Sequence, residues 1–303
     1  MSDEGLVAEL RRKRLRPKNL AGPRRLWFDR WAMTELDLFV MARENAEHLA
    51  LECADHTGAV VELAASVTQH GRLSVTMRFE RLRTFLEGGR YLNPWEECAL
   101  EAKGDEAETT RLMVKQQKEY YLKRVLFEGR FVGGRKFCYG ALYTGGRALV
   151  DTKYGPFSAV FRLDAARAWE LIAWLPGNSL ARYVPDDTTF NAEQLTCEVG
   201  AHGSRHHVAA IKHANEVENR SREEWPIMLC HGDCFIEGIV AEDLVPSEVE
   251  SMLVDTALWK TLQDAADAVL DGDDADAQEQ ADASRFTELR GGLTKWKLLE
   301  EMV

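Results

Sequence analysis

No stretch of this chain is apolar over the roughly 20 residues that a helix needs to cross a bilayer, and the opening "MSDEGLVAEL" lacks the basic-then-apolar order of an export signal. A soluble, cytoplasmic protein without a membrane partner is therefore the expectation. Positive charge is in deficit as well. Lys and Arg number 38 against 50 Asp and Glu, a formal net charge of −12, and such a surface repels phosphates, which argues against a general nucleic-acid or membrane binder. Cysteine is sparse. Cys53, Cys98, Cys138, Cys197, Cys230 and Cys234 are scattered through a chain far longer than a disulfide-stapled scaffold, so reduced thiols packed as small core residues are expected. No internal repeat is found.

What is present is ordinary globular material, with 45% hydrophobic and 29% charged residues. A length of 303 residues suits one large domain or two ordinary ones, and either can bury a sizeable core. Residues 1–30 include the basic run "RRKRLRPKNLAGPRRLWFDR", broken by Pro17, Gly22 and Pro23, and read as an arm. Such an arm is either solvated against the acidic body or a tether for RNA, DNA or an acidic partner. Residues 31–260 read as the body, and residues 261–303 as an acidic tail that is helical or in part disordered.

Along the body, Thr34 with Asp37 has the spacing of a capping box, and Leu38, Met41, Leu49 and Cys53 recur at helical intervals. "AVVELAASV" fits helix or strand. Phe79, Leu82, Phe85 and Leu86 share a helical face that ends at Gly88-Gly89. "YLNPWEECALEAKGDEAE" reads as a loop through its Asn-Pro and its charge, and "TTRLMVKQQKEYYLKRVLF" as one long helix opened by Thr109 or Thr110. Beyond Gly129 come short β-favouring runs punctuated by glycine, enough for two or three strands. "DAARAWELIAWL" returns to helix, Ser204 to Trp225 is polar and helix-like, and "IMLC" and "FIEGIV" read as strand halves. The fold expected is α+β, with a helical N-terminal third, a mostly antiparallel twisted sheet in the middle, and the acidic helical tail.

The chemistry-bearing stretch is "LCHGDCFIEGIVAEDLVP", Leu229 to Pro246. Its Cys230, His231 and Cys234, joined by His206, His207 or His213, offer zinc donors, but a structural site needs two close ligand pairs and only one crowded cluster is present. No metal is expected there. Its "HGD" resembles the catalytic loop of aminoglycoside phosphotransferase-like kinases, in which Asp233 would accept a hydroxyl proton and Asp255 would hold metal. The Asn that follows five residues later in that pattern is Gly238 here, and no glycine-rich phosphate loop with a strand Lys precedes it.

Read whole, "FIEGIVAEDLVPSEVESMLV" resembles the closing strand and turn of ADP-ribosyltransferase-like families associated with toxins and abortive infection, in which a strand glutamate is followed by "VP" and another apolar strand. "SVTMRFERLRTFLEGGRYLNPWEE" resembles their opening strand and helix, and "DTKYGPFSAVFRLDAARAW" their mid-chain strand. The resemblance touches about half of the chain, and none of its elements is specific alone. It implies NAD as co-substrate, Glu237 as the catalytic acid, and Arg78 and Tyr154 as residues that grip the dinucleotide. It also implies a protein or nucleic-acid acceptor and the role of a toxin or phage-defence effector. Against this stand a non-enzymatic interaction protein using the basic arm and acidic tail, and the phosphotransferase. Strand alternation by itself would place Glu237 outward, toward solvent.

Overall fold

Short polar residues set the helix starts. Asp37, Asn93, Asp105, Asn178, Asn191 and Asp276 each stand just before a helix, and their side chains accept hydrogen bonds from its otherwise unpaired first N–H groups. The computed structural model describes residues 36–145, 154–162, 170–186, 188–230, 232, 235–271 and 276–298. In chain order these form α1 (Leu38–Glu44), α2 (Ala46–Cys53), α3 (Ala59–His70), β1 (Arg72–Met77), α4 (Phe79–Gly88), α5 (Pro94–Glu101), α6 (Glu106–Gln117), α7 (Tyr120–Glu128), β2 (Cys138–Tyr143), β3 (Phe157–Phe161) and β4 (Ile172–Leu175). There follow α8 (Ser179–Tyr183), α9 (Ala192–Glu198), β5 (Gly200–Ala201), α10 (Arg205–His213), α11 (Trp225–Cys230), β6 (Glu237–Val240), β7 (Val249–Val254), α12 (Thr256–Asp271) and α13 (Ala277–Lys295).

The architecture is α+β. All seven strands join one antiparallel sheet in the order β5-β4-β6-β2-β1-β3-β7, so β2 is central and the two segments of the motif around Glu237 and Met252 lie on opposite sides of it. One sheet face carries Leu73, Val75, Met77, Phe157, Trp174 and Val240 and is covered by α3, α4, α10, α12 and α13 in a single apolar core. The acidic tail is part of that core. Leu262, Phe286, Leu289 and Leu293 are buried in it, and the Trp296 indole N–H donates to the Leu86 carbonyl at 2.8 Å.

Among the described residues, a compact group of helices covers one half of the second face. Ala201, Ala173, Leu175 and Ile239 pack there against α1, α7, α8 and α9, with Phe127, Phe131, Tyr183 and Phe190 filling the layer. On the other half the same face carries Ser74, Thr76, Ser158 and Ser251 in register across β1, β3 and β7, beside the small apolar group of Tyr143, Val160 and Leu253.

Several elements differ from the expectation drawn from the sequence, each for a physical reason. Instead of a loop, Asn93-Pro94 opens α5. Asn93 caps it, Pro94 takes the first helical position where its missing N–H costs nothing, and Glu96 closes the capping box. Instead of one long helix there are α6, capped by Asp105, and α7, separated at Lys118, whose φ is +50°. Ile172–Leu175 is a strand, buried at all four positions, and "IMLC" lies in the helix α11. "AVVELAASV" is helical as α3, and "VESMLV" is the strand β7. The basic arm and Thr34 lie outside the described residues. Among those residues, no helix is long and apolar enough to cross a membrane.

Candidate functional site

Glu237 opens β6, and the register fixes which way it points. It pairs with Leu175 on β4 and Ala141 on β2, and Ala141 pairs in turn with Ser74 on β1, so all four share the second face. Glu237 is therefore at the seam between the helix-covered half of that face and its hydroxyl-bearing half. The outward position expected from alternation is not observed: the residue is 6% exposed, because α8 closes over this end of β6. Ala141 and Thr76, like Tyr139 which packs on the helix-covered half, are only partly buried although they stand on the two strands at the middle of the sheet. Ala141, opposite Glu237, and Thr76 are thus partly exposed neighbours of the Glu237 row on this face.

Among the described residues, the Glu237 carboxyl has one hydrogen-bond donor. The backbone N–H of Ser179, at the start of α8, donates to Glu237 Oε2 at 2.9 Å. The Ser179 hydroxyl is fully buried and close enough to favour the charged form of the acid, yet its geometry falls short of a hydrogen bond. Burial strips water from the carboxylate and outweighs these donors and the more distant Arg124, raising the Glu237 pKa from 4.5 to about 7.

On α7 is a second buried acid, better supplied with hydrogen-bond donors. Glu128 on α7 receives the Arg124 guanidinium at 2.5 Å and the Tyr139 hydroxyl at 2.8 Å on one oxygen, and the Trp95 indole N–H at 2.6 Å on the other. Burial raises the pKa of Glu128, with these donors opposing it, and drives that of Tyr139 well up. The Arg124 guanidinium lies 4.8 Å from the centre of the Tyr139 ring and also donates to Gln117. Sequence reasoning missed this cluster. The only signal for it was the Arg124/Glu128 spacing of four on a helix, and that spacing does not reveal burial.

Of the other residues singled out from the sequence, Arg78 and Tyr154 are brought together and Glu237 is not brought to them. Both are exposed. Arg78 follows β1, and the turn before β3 packs flat on it: a Cβ on Gly155, whose φ is +142°, would sit 2.1 Å from the Met77 carbonyl oxygen and 2.5 Å from the Arg78 nitrogen. That close approach is why glycine stands after Tyr154. Arg78 lies four residues along β1 from Ser74, whose row holds Glu237 two strands away, which makes the Cα separation of Arg78 and Glu237 roughly 16 Å from ordinary strand spacings.

His231, Asp233 and Cys234 lie outside the described residues. His206, His207 and His213 belong to α10, in the layer on the first face, whereas Cys230 packs against Tyr143, Val160 and Leu253 on the second. Among the described residues no three metal-binding side chains converge. Gly238 faces the first core, where a Cβ would come within 2.7 Å of Leu73 and 2.9 Å of the Trp174 ring, so a metal-holding side chain has no room at that position. Asp255 caps α12, accepting from the Leu258 N–H at 2.8 Å. No family model matches the chain, and no curated protein matches it.

Proposed function

We propose that this protein is an ADP-ribosyltransferase-like enzyme that takes NAD as co-substrate, with Glu237 as the catalytic acid. The observation behind this proposal is the placement of one acid, its pKa raised by burial, on the sheet face beside the partly exposed Ala141 and Thr76 of the central strands. Breaking the bond between nicotinamide and ribose leaves oxocarbenium character on the ribose C1′. A carboxylate that accepts a hydrogen bond from a ribose hydroxyl spreads that charge, and the acceptor nucleophile then closes on C1′ as nicotinamide leaves and the nucleophile gives up its proton. Enclosure in a water-poor site strengthens such an interaction, since less solvent screens it.

Substrate reaches Glu237 from the hydroxyl-bearing half, because Leu175 and Ser179 close the other side. Ser74, Thr76 and Ser158 supply hydrogen-bonding groups along that approach, with Thr76 and Ser158 themselves paired at 3.4 Å. Arg78 and Tyr154, at the far end of β1, mark where the other end of an extended dinucleotide would be held, and a span of roughly 16 Å suits such a molecule better than a compact one. The acceptor is a protein or nucleic acid in the cytoplasm, as for a toxin or phage-defence effector.

The test is labelling of lysate protein and nucleic acid with a tagged NAD by wild type, Glu237→Gln and Glu242→Gln, each with a thermal melt. Labelling by wild type and Glu242→Gln, with a loss on the order of a hundredfold in folded Glu237→Gln, is the expected result. Equal labelling by all three removes Glu237 from the mechanism, and no labelling by wild type on any acceptor favours an interaction protein.

A further inference from the structure

Two carboxylates, Glu128 and Glu237, are buried on the second face, and the Arg124 guanidinium is paired with the first. The groups that face Glu237 are few. From β2 comes Tyr139, opposite Ile239 and so one pleat from Glu237 on the same face. From α7 come Arg124 and Glu128, in contact at 2.5 Å. From α8 come Tyr183 and the partly exposed Arg182, both of which donate to Glu198 of α9 and so form a separate, self-neutralised pair. β4 offers only the apolar Leu175. With Arg182 matched by Glu198, the cation that these described elements leave for the two acids is Arg124.

We propose that Arg124 is a positioning residue of this site: gripped by Glu128 and laid over the Tyr139 ring, it is the shared cation that lets Glu237 carry its negative charge while buried. This inference rests on the NAD reading only for the use made of that charge. The division of labour follows from the donors. Glu128 has three hydrogen-bond donors, whereas Glu237 has the Ser179 N–H with the Ser179 hydroxyl close by, and the field of the more distant Arg124 adds to these. Each contact in the chain has a function here. The Trp95 and Tyr139 donors hold Glu128, Glu128 holds Arg124, and the guanidinium faces the ring that borders Glu237.

Charge changes at either partner then move Glu237 in opposite directions. Glu128→Gln keeps the size and an acceptor oxygen, removes a neighbouring negative charge and leaves Arg124 unopposed, so Glu237 ionises at lower pH. Arg124→Gln removes the cation, so Glu237 ionises at higher pH, and Arg124→Lys restores the charge and brings the midpoint back toward wild type. The measurement is the ¹³C titration of the Glu237 carboxyl in the full chain labelled at glutamate Cδ, assigned by its disappearance in Glu237→Gln, with circular dichroism confirming each fold.

The expected shifts are about one pH unit or more, downward for Glu128→Gln and upward for Arg124→Gln. Should Arg124→Gln fail to fold, Glu128→Gln decides alone. Midpoints that stay within about 0.3 of a unit of wild type in folded variants overturn the inference. The two proposals fail separately: opposite shifts without any NAD labelling uphold the role of Arg124 and sink the NAD reading. Unmoved midpoints with Glu237-dependent labelling do the reverse.

Discussion

Replacing Glu237 by glutamine is expected to make the protein more stable at neutral pH, and the size of the gain follows from burial. In the folded chain the carboxyl has its pKa raised to about 7 from an ordinary 4.5, mainly because burial disfavours the charge. Between these two values the folded state holds a proton that the unfolded state releases, so stability falls as pH rises through the window and levels off above about 7. At about 1.4 kcal/mol per pH unit, the whole window is worth on the order of 3 kcal/mol. Glutamine has no proton to lose, and its carbonyl oxygen can still accept the Ser179 N–H. The stability difference between variant and wild type should therefore swing by about 3 kcal/mol in favour of the variant from pH 4.5 to pH 8. With an unfolding entropy of about 2.1 cal/mol/K per residue, that is a relative Tm change of about 5 °C. Melts of both proteins at half-unit pH steps read this directly. Parallel Tm curves with no pH-dependent gap would show that Glu237 ionises like an exposed acid, and the reasoning from burial would be wrong.

Other perturbations test the surroundings. Gly238→Asn places a side chain against Leu73 and Trp174 and should cost about 3 kcal/mol or more, seen as a clear fall in Tm; an unchanged melt contradicts the packing described. Trp95→Phe removes one donor to buried Glu128 and should cost about 1–3 kcal/mol, whereas a neutral effect in denaturant unfolding means that hydrogen bond is dispensable. Glu242→Gln, at an exposed position after β6, should leave Tm within about 1 °C of wild type, and a larger drop would make it structural. Deleting residues 1–25, which are rich in Arg and poor in apolar side chains, should leave the melt of the body intact, and aggregation of the truncated chain would reverse that view.

The parts of the fold legible in the sequence were those governed by neighbours along the chain. α4 was readable because Phe79, Leu82, Phe85 and Leu86 are spaced at helical period, and its end because Gly89 takes a left-handed φ of 73°. β6 was readable as a short apolar run, β1 only through the resemblance of its segment to an opening strand, and the α+β class followed from the change of texture beyond Gly129. β4 was not. A run buried on both faces, such as Ile172–Leu175, has no alternation to betray it, and the sheet context that makes it a strand comes from β5 and β6. α5 was hidden by giving Asn93-Pro94 the weight of a breaker when, with Glu96, it is a helix start.

For the site, Glu237 was legible as the acid of a strand, but its burial was not. The helix that covers it begins at Ser179, 58 residues earlier, and nothing in "FIEGIV" encodes that contact. The surroundings of Glu237 depend on register. Tyr139, Thr76 and Ser158 come from three strands, and only the pairing of β2, β1 and β3 puts them on one face with Glu237. The Arg124 and Glu128 pair has the spacing of an ordinary helix-surface pair, and that spacing does not reveal that both are buried.

The most direct test of an NAD-using Glu237 is the rate of nicotinamide release from NAD by the purified full chain, followed at pH 6 and pH 8 for wild type and Glu237→Gln. A carboxylate that must be ionised, with a pKa of about 7, predicts release by the wild type that rises about tenfold between those pH values. It also predicts a loss on the order of a hundredfold in the folded variant. Release that is absent at both pH values, or equal in wild type and Glu237→Gln, contradicts the account.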